Sequence, residues 1–143
     1  MAGKEELSSP LDLIHRVSQR ADRLFARSAG AAGPSSREHA VLRAVSKADG
    51  LNQTAIMAAT GLDRSSTADL VRRLVSRGFL RRRRTRRDVR QYAIRLTQRG
   101  LDHFRLGEVA AKAAEAELLS KLSRTDRAAL IAMLRAIADG GSG

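Results

Sequence analysis

The segment 81–100, RRRRTRRDVRQYAIRLTQRG, limits the fold more than any other part of the chain. Six of its first seven residues are arginines, and charges at that density are not buried without matching partners. The apolar–polar alternation that follows places Tyr92, Ile94 and Leu96 on one face, which is typical of a β-strand in a folded sheet. We therefore predict a β-hairpin with its turn near residues 85–88. A disordered basic tail is the alternative, but it gives no reason for the alternation.

The positive charge of the chain is concentrated around this hairpin. Residues 64–99 hold 13 arginines against two acids, Asp69 and Asp88, whereas the other 107 residues carry 14 basic and 13 acidic groups. A concentrated field of one sign costs self-repulsion and is typical of proteins that bind a polyanion. Nucleic acid is therefore the expected partner. An acidic membrane surface fits less well, because no basic amphipathic helix with aromatic anchors accompanies the charge.

Composition narrows the remaining function classes. The 143 residues suit one ordinary domain, or a small domain with helical extensions that a partner chain covers. The absence of cysteine excludes disulfides and thiolate metal sites and is compatible with a reducing cytosol. Nowhere do about 18 apolar residues run together, so we expect a cytoplasmic, nucleoid-associated protein without a membrane segment.

Neither a metal centre nor an active site is predicted. The three histidines, His15, His39 and His103, are isolated in the sequence and form no metal-ligand cluster. The chain also lacks a phosphate-cradling glycine loop, a nucleophile–base constellation and a carboxylate pair in a plausible context. We expect no cofactor and no enzymatic activity.

Apolar periodicity and capping residues predict six helices around the hairpin. The second helix opens at Ser35 with Glu38 completing a capping box, and the third and fourth are capped by Asn52 and Asp63. Ser123 starts the last helix. The predicted helices cover residues 10–28, 35–50, 53–60, 63–77, 98–122 and 123–139, and together with the hairpin they define a mainly α, α+β fold.

The fourth helix has the pattern of a DNA recognition helix. Leu70, Val71, Leu74 and Val75 form an apolar stripe, and polar side chains occupy the opposite face. Short hydroxyl side chains on its first turn can approach base edges, while arginines further along can bond phosphate or guanine. A serine-rich surface helix is the alternative, but the preceding short helix and TGLD turn favour a helix-turn-helix. The residues predicted to contact DNA here are Arg64, Ser65, Ser66, Thr67, Asp69, Arg72 and Arg73.

The hairpin that follows is predicted to be a wing. A narrow minor groove concentrates negative potential, and a guanidinium group enters it at modest dehydration cost. Arg86, Arg87 and Arg90 are the alternatives for that role, and Asp88 can hold a neighbouring guanidinium in place. The predicted wing contacts are Arg82, Arg84, Arg86, Arg87, Asp88 and Arg90.

With these parts in this order, the chain resembles the MarR family of bacterial transcriptional regulators over nearly its whole length. The matching stretches are SSREHAVLRAV, NQTAIMAATGLDRSSTADLVRRLVSRGFLRR, RRDVRQYAIRLTQRG and LSRTDRAALIAMLRAI. The most specific is the wing signature, Asp88-x-Arg90 followed by Leu96-Thr97 and Gly100. One departure is Asp69, where relatives often have a basic residue.

The resemblance implies a winged helix-turn-helix homodimer that binds double-stranded DNA at a pseudo-palindromic operator, most often as a repressor released by a small effector. It divides the chain into a dimerisation helix (1–34), the DNA-binding domain (35–99), two further dimerisation helices (100–139) and a flexible tail (140–143). The sequence supports the dimer independently, because apolar stripes at both chain ends exceed what so small a winged module can cover.

The resemblance also implies a cleft for a phenolic or anionic effector between the dimerisation helices and the winged module. His15, Arg20, His39 and Arg43 lie on the helices expected to line it, and either arginine can pair a carboxylate. For each of these side chains, a solvated helix face is the alternative. A non-specific architectural DNA- or RNA-binding protein remains the alternative function.

Overall fold

A computed structural model of the chain describes residues 9–85 and 92–140. Four of the predicted wing contacts, Arg86, Arg87, Asp88 and Arg90, lie outside these residues. The described part contains six helices and one antiparallel pair of strands, and the predicted winged helix-turn-helix is confirmed. The elements are α1 (Pro10–Ala29), α2 (Ser36–Ser46), α3 (Gln53–Thr60), α4 (Arg64–Ser76), β1 (Leu80–Arg84), β2 (Tyr92–Leu96), α5 (Gln98–Leu118) and α6 (Arg124–Asp139).

Each helix begins at a side-chain cap. The oxygen of the capping residue accepts a hydrogen bond from the backbone N–H three residues ahead, which satisfies a donor that the helix itself leaves free. At α2 the predicted capping box is complete, because Glu38 also accepts from the backbone N–H of Ser35 at 3.1 Å. The caps are Ser9, Ser35, Asn52, Asp63, Thr97 and Ser123.

The second helix is shorter than predicted. It ends at Ser46, and Gly50, with φ of +90°, turns the chain into an extended residue, Leu51. Leu51 exchanges two backbone hydrogen bonds with Ile94, at 3.0 and 2.7 Å. This pairing with β2 requires the chain to leave the helix, and local periodicity does not report such a distant contact.

The main core lies between α2, α3, α4 and the hairpin. The apolar stripe predicted for the recognition helix faces this core, with Leu70, Val71 and Leu74 buried and Val75 partly buried. Leu42, Ile56 and Val41 are fully buried on the facing helices. Apolar burial at about 25 cal/mol per Å² is the main force that holds the winged module together.

The start of α5 is packed tightly against the residues that lead into β1. The Thr97 hydroxyl donates to the carbonyl of Gly78 at 2.5 Å, and the Thr97 backbone N–H donates to the carbonyl of Phe79 at 3.2 Å. A Cβ placed on Gly100 would lie 1.8 Å from that same Phe79 oxygen. Glycine is therefore required here for close approach, which fixes the direction of α5 relative to the hairpin.

The long terminal helices leave apolar surface uncovered. α1 packs on α5 through Leu24 and Phe25, which meet the small side chains of Ala110 and Ala114. By contrast, α6 has no buried residue. No helix among residues 9–85 and 92–140 combines the length and apolar character needed to cross a membrane. Large apolar side chains exposed on the terminal helices include Leu11, Leu13, Ile14, Val17, Leu106, Val109, Ile131, Met133, Leu134 and Ile137.

Candidate nucleic-acid interface

The first turn of α4 presents a compact hydrogen-bonded cap. Both serine hydroxyls donate to Asp63, Ser66 at 3.1 Å and Ser65 at 3.4 Å. The backbone N–H of Ser66 also donates to Asp63 at 2.7 Å and lowers the pKa of that carboxyl group. Arg64 and Ser65 are exposed and Ser66 is half-buried, so this turn can meet a ligand.

Thr67 does not belong to this surface, and its predicted contact with DNA is wrong. Its side chain has no exposed surface, and its hydroxyl donates to the carbonyl of Asp63 at 2.8 Å. Helical geometry explains the difference, because Thr67 lies three residues before Leu70 and four before Val71, on the same face as the core stripe.

The middle of α4 carries a cluster of one acid and two arginines. Asp69 accepts a hydrogen bond from Arg72 through Oδ1, and its Oδ2 lies 3.4 Å from Nε of Arg73. All three side chains are about half to two-thirds exposed, at 48%, 67% and 61%. The cluster therefore stands on the outer face of the recognition helix, where the sequence predicted it.

The base of the wing brings arginines around an aromatic ring. In the strand register, Arg84 pairs with Tyr92 and Arg82 with Ile94, so the four side chains share one face of the ribbon. The guanidinium carbons of Arg82 and Arg84 lie 5.7 and 5.8 Å from the centre of the Tyr92 ring. Arg84 also donates to the Tyr92 hydroxyl at 3.4 Å, and this bond lowers the pKa of the phenol.

The strand register confirms the predicted face of Tyr92, which it shares with Ile94, but the core does not cover the ring. The ring is 38% exposed, whereas Ile94, two residues on, is buried. Tyr92 lies at the far end of the described ribbon, beyond the reach of the core, and a hydroxyl-bearing aromatic ring at such a position can stack on cations. Sequence reasoning missed it as an interface residue, although a single tyrosine among arginines was a usable signal.

The recognition helix and the wing, which were both predicted to contact DNA, meet in a cleft of about 240 Å³ between α3, α4 and the hairpin. Arg64 from the recognition helix and Arg82 from the wing both line it, and Gln53 donates to the carbonyl of Arg64 at 3.4 Å. Other arginines of the basic segment are paired within the module instead, since Arg77 contacts Glu38 at 2.9 Å and Arg95 contacts Asp49 at 3.3 Å. The sequence did not predict which of these arginines pair with acids elsewhere in the module.

A second cavity, of about 590 Å³, lies between α1, α2, α3 and α5. His39 and Arg43 line it, as do Phe25 and Lys47, but His15 and Arg20 do not. Successive residues of a helix are separated by about 100°, so His15 and Arg20 lie well away from the cavity face of α1 that Ala21 defines. These two residues were predicted to line the effector cleft, but within this chain they do not line the cavity.

Two residues that line this cavity, His39 and Arg43, share a hydrogen-bond partner, Glu108, that the sequence did not predict. Nε2 of His39 lies 3.0 Å from Glu108, and Arg43 donates to the same carboxylate oxygen at 2.8 Å. The His39 ring is 5% exposed and is stacked between Phe25 and Phe104, each centroid 5.4 Å away.

The charges of this group follow from its surroundings. Burial, with Arg43 nearby, lowers the pKa of His39, so the ring is neutral at pH 7. Partial burial raises the pKa of Glu108, but hydrogen bonds from Arg43 and His39 outweigh it, and the net pKa is lowered. Within the described ranges, no group of three potential metal ligands occurs. The cavity is therefore an apolar space with fixed charges along one wall.

Comparison with known proteins identifies the family that has this combination of structural elements. A family model described as "MarR family" matches residues 32–91. The crystal structure of the PcaV transcriptional regulator from Streptomyces coelicolor, in complex with its natural ligand, superposes with a TM-score of 0.87. The two sequences are 31% identical, and the match covers 97% of this chain and 98% of that one. The chain belongs to the MarR family of transcriptional regulators.

Two further relatives extend the comparison. The transcriptional repressor CouR, solved bound to a 23-mer DNA duplex, is 26% identical, with a TM-score of 0.84 over 94% of this chain and 96% of that one. A putative transcriptional regulatory protein for the hcr operon of Thauera aromatica is 28% identical over 97 residues. That match covers 68% of this chain and 58% of the relative, so the chain spans somewhat over half the length of this curated protein.

Proposed function

We propose that this MarR-family protein binds a pseudo-palindromic operator in double-stranded DNA as a homodimer and represses transcription from it. The observation that carries this proposal is the shared exposed face formed by the start of α4 and the base of the wing, where Arg64 and Arg82 line one cleft. A helix start that can approach bases, next to a cationic ribbon that can follow the backbone, suits a duplex rather than a small anion. CouR, a repressor of similar sequence, was solved on duplex DNA.

The homodimer is proposed from the uncovered terminal helices. α6 buries none of its residues, even though it carries large apolar side chains. Ile131, Leu134 and Ile137 are 45–65% exposed. An apolar surface of this extent on three helices is typical of an interface, and a two-fold axis would pair the same helices of two copies. Such a dimer presents two recognition helices, which is what a palindromic site requires. We place its action at the nucleoid in the cytoplasm.

The experiment that tests operator recognition starts with selection of duplex DNA from a random pool. Affinity for the selected duplex is then compared with that for a random duplex and for double-stranded RNA, each at 50 and 200 mM salt. We expect strong preference for the selected duplex at both salt concentrations. Equal affinity for all three nucleic acids would contradict the proposal and favour a non-specific architectural or RNA-binding protein.

The same titrations test how the wing contributes. Replacing Arg82 by alanine removes one phosphate contact from each of the two subunits, so the slope of log affinity against log salt should become shallower by about 1.8, with little change in sequence preference. Arg135→Ala on α6 is the control. It removes an equal charge from a helix that is distant in sequence from the proposed DNA face, and it should leave this slope unchanged. Lost discrimination with Arg82→Ala would show that this arginine contacts bases instead.

We further propose that the 590 Å³ cavity binds a phenolic or anionic effector that releases the protein from DNA. Arg43 and Lys47 supply positive charge, while Phe25 and several alanines supply apolar walls. PcaV, the relative with 31% identity, was solved in complex with its natural ligand. Since Arg43 belongs to the winged module and Glu108 to α5, a carboxylate that competes for Arg43 would loosen the contact between them.

A panel of hydroxybenzoates tests this effector class. We expect at least one member to raise the melting temperature and to weaken binding to the selected duplex. Arg43→Gln should weaken binding of that compound about ten-fold or more, because a charge-assisted pair is lost. Arg20→Gln removes the same charge from α1 outside the cavity and should have no effect. If every member leaves both melting temperature and DNA affinity unchanged, the proposed class is wrong.

A further inference from the structure

Asp69 lies in the most basic part of the described chain. It is the single acid in residues 64–85, a stretch with eight arginines. Its carboxylate is 48% exposed, and each of its two oxygens meets a different arginine, Arg72 and Arg73. Together with Ser65, Ser66 and Ala68, the Asp69–Arg72 pair lines a shallow concavity on the outer face of α4.

An acid at this place opposes general attraction to DNA. A carboxylate near the duplex is repelled by phosphates, and it holds two guanidinium groups that would otherwise bind those phosphates. The ion pairs are exposed, so their contribution to the stability of the fold is small. A residue that weakens non-specific affinity and adds little stability is better explained by selectivity than by structure.

The chemistry of the base edges identifies a ligand for this cluster. A carboxylate accepts hydrogen bonds and donates none. In the major groove, the cytosine amino group is a donor, and the paired guanine presents two acceptors that an arginine can bind with both arms. An acid with an arginine at its side is therefore complementary to a C·G pair, whereas a thymine oxygen facing the carboxylate would be repelled.

We propose that Asp69 is the specificity-determining residue of the recognition helix, accepting a hydrogen bond from one cytosine amino group in each half-site while Arg72 binds the paired guanine. At other sequences, Asp69 keeps Arg72 and Arg73 in ion pairs and lowers affinity. This inference rests on the proposed operator binding, because it assigns one base contact within it.

The test compares base preferences of the protein and of its Asp69→Ala and Asp69→Asn variants by selection from random duplex DNA. With Asp69→Ala, affinity for random duplex should rise several-fold, and the ratio of selected to random affinity should fall about ten-fold or more. One position in each half-site should lose its cytosine preference. Asp69→Asn should shift that position towards adenine, whose edge an amide matches. Asp102→Asn on α5 removes an acid that is also exposed, at 63%, and should change none of these quantities.

The outcomes separate this inference from the proposed function. If the unmodified protein selects a sequence and Asp69→Ala keeps the same preference at every position and the same affinity ratio, the role of Asp69 is overturned while operator binding stands. If the unmodified protein selects no sequence at all, operator binding itself is overturned. Equal melting temperatures of the variants and the unmodified protein, expected for so exposed a side chain, exclude misfolding as the cause of either result.

Discussion

Gly100→Ala is expected to lower the free energy of unfolding by about 3 kcal/mol or more. The added Cβ would lie 1.8 Å from the carbonyl oxygen and 2.8 Å from the carbonyl carbon of Phe79. Both are backbone atoms, and the oxygen is already held by the Thr97 N–H. Relief of the overlap therefore requires separation of α5 from β1, since no flexible side chain is available to move.

Urea denaturation followed by circular dichroism measures this loss. Gly140→Ala is the matched control, because that glycine also has helical dihedral angles but its added Cβ would come no closer than 3.2 Å to another atom. We expect the control to change the free energy of unfolding by less than about 0.5 kcal/mol. A loss below about 1 kcal/mol for Gly100→Ala would show that α5 and the hairpin are not held as closely as described.

Ile137→Asp is expected to convert a dimer into monomers and to weaken binding to the selected duplex by about 100-fold or more. Ile137 is 65% exposed on α6, and in the proposed dimer the partner helices would bury it. An unpaired carboxylate in such an interface carries a large desolvation cost. Monomers would then bind half-sites singly and lose the gain from linked binding, which reaches 10²- to 10⁴-fold.

Sedimentation equilibrium measures the association, and fluorescence anisotropy with the selected duplex measures the affinity. Ala132→Asp introduces the same charge on the same helix. Because Ala132 lies about 100° around the helix from Ile131 and off the apolar stripe, the variant should remain dimeric. A monomeric unmodified protein, or a dimeric Ile137→Asp variant with full affinity, would contradict the proposed interface.

Local features of the sequence were sufficient for most of the secondary structure. Capping side chains at Ser35, Asn52, Asp63 and Ser123 mark helix starts through contacts that span three residues, so a linear pattern contains them completely. The hairpin was also predictable, because the apolar residues at 92, 94 and 96 alternate along one face of β2, where Ile94 is buried. The family resemblance was confirmed by a relative that matches almost the whole chain.

For the predicted DNA face, the sequence indicated the polar and charged residues of the recognition helix but not which of their side chains are exposed. It predicted the outer cluster of Asp69, Arg72 and Arg73, but it placed Thr67 there as well, although Thr67 is buried. A threonine suits both a capped helix turn and a core, and the choice depends on its angle relative to the apolar stripe. That Arg77 and Arg95 are paired within the module depends on acids far away in the sequence.

The amino-acid sequence by itself determined that this protein is a winged helix-turn-helix with a strongly cationic face, since caps, periodicity and charge density are local properties. Tertiary structure decided where α2 ends, which arginines form ion pairs with distant acids, and which of the residues predicted for the effector cleft share a cavity. Those outcomes depend on contacts between residues 40 to 70 positions apart, such as Leu51 with Ile94 and His39 with Glu108. No linear pattern records such contacts, because they form only when the helices pack together.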